Sequence, residues 1–338
     1  QKTAYEIGVR LVGSEMCIRD RSLAGAVVEA LQRDHGWSID PDWLVWLPGL
    51  VSALNIVCRA VGDAGDEVLT ATPVYPPFLS APCYSGRRVT TVDLRRSDSR
   101  WTWDAGRLER AVTPRSRLVM LCNPHNPVGR VFSREELTSI AQTAERHDLV
   151  ICSDEIHCGL VLDKQVQHLP IAMLDNATAE RTITLMAPSK TWNIPGLGCA
   201  FAVVANPKLR RQMLDAMHGI VPHANVLGLA ATEAAYRHGD PWRRELLEYL
   251  RGNAECVERA IAAIPGLSTW PVEATCLAWI DARPLALRDP VRFFEDAGVG
   301  LSNGADFGAP GYVRLNFGCA RSVLEVALRR IHDGVMAR

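Results

Sequence analysis

Residues 187–198 read APSKTWNIPGLG, directly after an apolar run at 182–186. A short apolar run of this kind, bounded by turn residues, predicts a buried strand. The strand would deliver Lys190 into a loop at its carboxyl end. The same arrangement recurs upstream. An apolar run at 118–122 is followed by NPHNPVGR at 123–130, and one ending at 152 is followed by SDEIH at 153–157. A run at 44–47 leads through Pro48-Gly49 into LVSAL, where Leu50, Ala53, Leu54, Val57 and Val61 mark one face of a helix. Further strands are expected at 67–70, 88–94 and 200–204, with helical patterns between them, as at 134–147. Strands alternating with helices predict an α/β fold with a mainly parallel sheet sandwiched by helices. In such sheets ligands bind outside the carboxyl ends of the strands.

Beyond residue 207 helical patterns dominate, and strands return near 276–281 and 312–316, which reads as a smaller α+β domain. The expected organisation is a leader at 1–21, a large domain at 22–206 and a small domain at 207–338. The leader, QKTAYEIGVRLVGSEMCIRDR, has neither strand nor helix period and lacks the layout of a signal peptide, so it reads as foreign or disordered. At 338 residues with 48% apolar content, the chain can bury a sizeable core. A net charge of −1 with both signs dispersed argues against nucleic acid as a partner, and no apolar run is long enough to span a membrane. Ten cysteines without a CxxC pair or metal-ligand spacing predict no metal site and fit a reducing cytoplasm.

Four strand ends thus bring an amide, a carboxylate, a lysine and a helix N-terminus towards one crevice. Each has a physical task on pyridoxal 5′-phosphate. A lysine amine forms a Schiff base and carries protons. A carboxylate beside the pyridine nitrogen keeps it protonated, so that the ring draws electrons. A helix N-terminus offers free N–H groups to a phosphate. An asparagine amide can bond the phenolic oxygen, and an aromatic residue, here Tyr75 in PVYPPF, can stack on the ring. Taken singly, Asp154 reads equally well as a helix N-cap and Asn126 as a turn residue; the order and spacing of the set carry the inference. The two Asn-Pro steps at 123–124 and 126–127 predict a rigid, extended turn. His125, His218 and His223 show no partner pattern.

The set PVYPPF, NPHNPVGR, SDEIH, APSKTWNIPGLG and, at 311–321, GYVRLNFGCAR resembles the fold-type I pyridoxal-phosphate enzymes, with their aspartate-aminotransferase-like fold, and among them the MalY/PatB-type cystathionine β-lyases. The resemblance runs from about Ser22 to the C-terminus. It implies Lys190 as the Schiff-base lysine, Asp154 at the pyridine nitrogen, Asn126 at the phenolic oxygen and Tyr75 stacked on the ring. Val51 and Ser52 would present backbone N–H groups, and Ser52 a hydroxyl, to the phosphate. Arg314 would grip the substrate α-carboxylate, and His157 would stand near the phenolic oxygen, where many aminotransferases have tyrosine. The implied activity is a carbon–sulfur β-lyase on cystathionine or cysteine S-conjugates, releasing thiol, pyruvate and ammonia. The alternatives are a class I/II aminotransferase and a cofactor-binding regulatory protein. The implied partners are a small amino-acid substrate and a second copy of the chain, with active sites at the dimer interface.

Two departures stand out. Ala187 occupies a position where many relatives carry a hydroxyl that touches the phosphate. Residues 1–21 do not match the family's segment before Ser22, which holds a tryptophan- and aspartate-containing stretch near the substrate and a tyrosine that reaches the partner subunit's phosphate. The large domain is therefore expected to be truncated at its start relative to the family, with looser cofactor binding.

Overall fold

The computed structural model describes residues 21–97 and 100–338, apart from the side chain of Ala105. The leader expected at 1–21 lies outside the described residues except for Arg21, which begins helix α1 at 21–35. In α1 the residues Leu23, Val27, Ala30 and Leu31 are buried, at the spacing of one helix face.

The strands are β1 Leu44–Leu47, β2 Glu67–Thr72, β3 Arg88–Asp93, β4 Arg95–Arg96, β5 Trp101–Thr102, β6 Ser116–Cys122, β7 Val150–Asp154, β8 Thr182–Met186 and β9 Ala200–Val203, followed by β10 Ser268–Thr269, β11 Leu277–Asp281, β12 Ser302–Asn303 and β13 Tyr312–Asn316. Seven of them form the main sheet in the order β1-β9-β8-β7-β6-β2-β3, and β4 pairs with β5 as a separate ribbon. Strands β3, β2, β6, β7 and β8 run parallel. Strand β9 runs against β8, and β1 runs against β9. Hence β1 points the same way as the five parallel strands, and the carboxyl ends of all six lie at one edge of the sheet.

Both faces are covered, which explains why strands such as β6, β8 and β9 are buried nearly throughout rather than in alternation, whereas the edge strand β3 is largely polar. Helices α2 Leu50–Ala60, α3 Pro77–Tyr84 and α7 Pro207–Met217 lie on one face, where Leu54, Phe78 and Met213 share a core with Met120, Cys152 and Ile183. Helices α4 Ala105–Ala111 and α5 Arg134–Arg146 cover the other, where Leu108, Leu137 and Ile140 meet Val119, Leu121 and Ile151. Residues 119 and 120 thus face opposite cores, as the two-residue period of a strand requires. Helix α5 starts at a capping box in which Ser133 and Glu136 satisfy each other's backbone N–H groups. Beyond the short α6 Asn176–Glu180, helix α8 Val226–His238 packs with α1 over Met186, Phe201 and Val203.

The smaller sheet is antiparallel, ordered β10-β11-β13-β12. One face packs on α9 Asp240–Ala262, α10 Pro290–Asp296 and α11 Arg321–Met336. From the other face Trp279 and Tyr312 stack on each other, 5.2 Å apart and 4° from coplanar. Both join the core beneath α4 and α5, so this sheet and the main sheet share side-chain packing.

The packing departs from the expected boundary at 207. Helices α7 and α8 bury their apolar faces on the main sheet, and the cores change over near Gly239, at the start of α9. Helical periodicity shows that a face is buried but not which sheet buries it. Among the described residues no helix is long and apolar enough to cross a membrane.

Trp279 is only 2% exposed and belongs to the core shared by the two sheets. Trp279→Ala should destabilise the protein by about 3–5 kcal/mol, read as a lower urea midpoint. A midpoint within error of the parent would show that the two sheets do not depend on this contact.

Candidate active site

A cavity of about 600 Å³ opens at the carboxyl edge of the main sheet, with β13 contributing to its wall. Val51, Ser52, Tyr75, Asn126, Asp154, His157, Lys190 and Arg314 all line it. The eight residues singled out in the sequence therefore meet in one place, although they span most of the chain.

Asp154 ends β7 and is 4% exposed. Its Oδ1 accepts the backbone N–H of Ile156 at 3.1 Å. Burial raises the carboxyl to about 7, against the lowering effects of the Ile156 bond and of Lys190. Neighbouring Glu155 points away, as strand alternation dictates, and is anchored by three donors. It accepts from the Ser153 hydroxyl at 2.9 Å and from the Ile171 N–H at 3.2 Å, and it lies 2.8 Å from His168 Nε2. These bonds fix the end of β7 and with it the direction of Asp154.

Arg314 approaches from β13. One of its amino groups donates to Asn126 Oδ1 at 3.0 Å and the other to Ser302 Oγ at 3.1 Å, while its Nε is buried without a partner. The guanidinium lies 4.8 Å from the centre of the Phe307 ring. Burial lowers its pKa from the usual arginine range, and no carboxylate pairs with it among the described residues. A planar donor fork with this environment suits a carboxylate ligand.

His157 is buried and its Nδ1 has no partner. Burial, and then the positive charges of Lys190 and Arg314, hold its imidazole down at about 3, so it is neutral. Lys190 lies in the loop after β8, whose turns are closed by Trp192 N–H to the Pro188 carbonyl and Ile194 N–H to the Ser189 carbonyl. The side chain of Trp192 ties this loop to the Gly239 carbonyl at 2.9 Å.

Helix α2 begins without a side-chain cap and without an acidic residue in its first turn. Its first closed backbone bond is Ala53 N–H to Gly49, which leaves the N–H groups before it free to meet an anion. Tyr75 follows the carboxyl end of β2, and its N–H donates to the Asn126 carbonyl at 3.1 Å. Both Asn-Pro bonds of the 123–130 loop are cis. Ala187 is packed in the core, and the nearest hydroxyl of that loop at the cavity belongs to Ser189.

Cys276, Asn316 and Gly318 also line the cavity, and sequence reading had singled out none of them. Asn316 was accessible in principle, because it shares a face of β13 with Arg314. Cys276 and Gly318 were not, since their approach depends on tertiary packing: a Cβ on Gly318 would lie 3.1 Å from Cys276 Sγ.

Comparison with known proteins adds to this geometry. The family model for aminotransferase class I and II matches residues 18–331. Cystathionine β-lyase PatB of Bacillus subtilis (strain 168) is 34% identical over 321 residues, covering 92% of this chain and 82% of that protein. Protein MalY of Escherichia coli (strain K12) is 32% identical, covering 92% and 81%. Among solved structures, OvoB superposes with a TM-score of 0.93 at 45% identity, over 94% of this chain and 84% of that one. Cystalysin from Treponema denticola, solved with a pyridoxal 5′-phosphate cofactor, gives a TM-score of 0.90 at 29% identity, over 94% and 82%.

The raised Asp154 pKa has a thermodynamic consequence. Its folded value lies above its unfolded value, so the group favours the fold when protonated. That stability is lost as pH rises from about 4 towards about 7. Asp154→Asn keeps the shape and removes the titration. Urea unfolding of the cofactor-free protein at about pH 5 and about pH 8 should show a larger loss for the parent than for Asp154→Asn. Equal losses would mean that Asp154 does not titrate in this range.

Proposed function

The chain belongs to the aminotransferase class I and II family, and within it to the PatB/MalY-type cystathionine β-lyases, and on that premise we propose that it is a pyridoxal-phosphate-dependent carbon–sulfur β-lyase. Its substrates would be cystathionine or cysteine S-conjugates, and its products a thiol, pyruvate and ammonia. One observation carries the reading: a buried carboxylate, Asp154, and a half-buried guanidinium, Arg314, share a cavity with Lys190, and among the described residues neither forms a salt bridge.

The donor set fits the cofactor. Asp154 has one backbone donor and a strongly raised pKa, so a protonated ring nitrogen beside it would relieve the penalty of burial. The uncapped start of α2, with Val51 and Ser52, suits a phosphate. The unpartnered Nδ1 of neutral His157 and the amide of Asn126 suit the polar rim of the ring, and Tyr75 suits its face.

When bound, pyridoxal phosphate supplies an aldehyde that holds an amine and a ring that withdraws electrons from the substrate Cα. The residues of the chain do the rest. Lys190 would hold the group through its side-chain amine, and that amine, when not so engaged, would be the base placed to take the substrate Cα proton. Asp154 would favour a protonated ring nitrogen beside it. Arg314 clamps the substrate α-carboxylate with two donors, which fixes the Cα–H bond and the β-thioether relative to Lys190. The overall change would break the β C–S bond of the substrate and consume one water, giving thiol, pyruvate and ammonia.

Transamination is the second reading, favoured by the family's own description, because the same residues serve its first steps. Product stoichiometry separates the two. With cystathionine and no keto-acid acceptor, a lyase releases many pyruvates per site, whereas a transaminase stops after one keto acid per site.

A homodimer is supported by exposed apolar side chains near the cavity. Val51 lines the cavity, and the α8 cap Asn225, bonded to the Leu197 carbonyl of the lysine loop, leads into exposed Val226 and Leu227. The buried free thiols support a reducing compartment, the cytoplasm.

Two substitutions test the assignments. Asp154→Ala should lower kcat for pyruvate release on the order of a hundredfold, as loss of a preorganised charge partner does. Arg314→Ala should raise KM for cystathionine at least about tenfold, measured at saturating cofactor. A kcat near the parent value for Asp154→Ala, or an unchanged KM for Arg314→Ala, would remove that residue from its role.

A further inference from the structure

Tyr75 and Asn126 reach the cavity from different loops, and one side chain touches both loops. His125 is 1% exposed. Its Nδ1 lies 3.0 Å from the Cys122 carbonyl oxygen and its Nε2 lies 2.7 Å from the Pro73 carbonyl oxygen. The first contact stays inside the loop after β6. The second crosses to the loop after β2, two residues before Tyr75. Phe132 packs against the ring at 5.4 Å, which leaves it little freedom to turn away.

Both oxygens only accept, so each contact needs an N–H from the ring. Burial brings the imidazole down to about 4, and at neutral pH the ring carries a single N–H. A proton on Nδ1 would make a bond that spans three residues and joins nothing new. A proton on Nε2 makes the shorter contact and joins the loops, beside the backbone bond from Tyr75 N–H to the Asn126 carbonyl. Val74 N–H donates to the Phe307 carbonyl at 3.0 Å, so the same short segment is tied on its far side as well.

We propose that His125 is a positioning residue: its Nε2–H holds the Pro73 carbonyl and so fixes Tyr75 relative to Asn126, setting the separation between the residue that stacks on the cofactor ring and the residue that bonds its edge. The inference rests on the cofactor reading given above for Tyr75 and Asn126.

The test compares two amide substitutions. The side-chain nitrogen of His125→Gln falls near the position of Nε2 and can still donate to Pro73. That of His125→Asn falls near Nδ1 and reaches only Cys122. The first readout is amide hydrogen exchange at Val74 and Tyr75 in the cofactor-free protein. His125→Asn should exchange faster there and His125→Gln should match the parent, with both far-UV circular dichroism spectra unchanged. The second readout is pyridoxal-phosphate affinity by absorbance titration. His125→Asn should bind about tenfold more weakly, the effect of one lost hydrogen bond, and His125→Gln within about threefold of the parent. In a Tyr75→Ala background, His125→Asn should add less than about twofold, because the effect runs through Tyr75.

Equal exchange in the Asn and Gln variants would overturn the clamp. An undiminished effect of His125→Asn in the Tyr75→Ala background would overturn its action through Tyr75. Protected exchange in a parent that takes up no cofactor would leave the clamp standing and sink the cofactor reading, and with it the purpose assigned to the clamp.

Discussion

Asp154 is a carboxylate enclosed by protein, with one backbone donor and, among the described residues, no salt bridge, only the more distant charge of Lys190 favouring its ionised form. Burying a lone ionised carboxylate is expensive, and burial accordingly raises its pKa to about 7. The fold holds the group in place all the same. Parallel strands on either side fix β7, and Glu155, turned the opposite way, is locked by Ser153, His168 and Ile171. An anion so tightly placed and so poorly matched within the protein calls for a positively charged partner brought in by a ligand.

Arg314 poses the complementary problem. It is half-buried, its two amino groups are held by Asn126 and Ser302, and its Nε is buried without a partner. The two charges do not neutralise each other, since Arg314 turns to neutral Asn126 and Asp154 to a backbone N–H. The cavity therefore selects a ligand with a protonated nitrogen at one end and a carboxylate at the other. Under the proposed function a pyridinium ring carrying an amino-acid substrate would supply both, and Lys190 lines the same cavity. The two charges come from different sheets, so the shared packing of Trp279 and Tyr312 matters for chemistry as well as stability.

Much of this was legible in the sequence. Strands β6, β7 and β8 each hold a short apolar run followed by a polar loop, and the rule that ligands gather at carboxyl ends places Asn126, Asp154 and Lys190 together without any structure. The strand at 312–316 was legible as well, and with it Arg314. Three kinds of feature were not. The packing of α7 and α8 on the main sheet was hidden because an amphipathic helix does not name the sheet it covers. Cys276 and Gly318 reach the cavity only through tertiary approach. His125 and His168 are isolated in sequence and acquire partners only when distant loops meet, Pro73 for one and Glu155 for the other.

The chain has four lysines, Lys2, Lys164, Lys190 and Lys208, which makes one chemical experiment decisive. Lys164 pairs with Glu248 at 2.9 Å, whereas Lys190 lines the cavity with Asp154 and Arg314. Borohydride reduction of the pyridoxal-phosphate-loaded protein, followed by peptide mapping by mass spectrometry, should place the pyridoxyl label on Lys190 alone. A label on another lysine, or none after saturation with the cofactor, would contradict the assignment of this cavity as a pyridoxal-phosphate site.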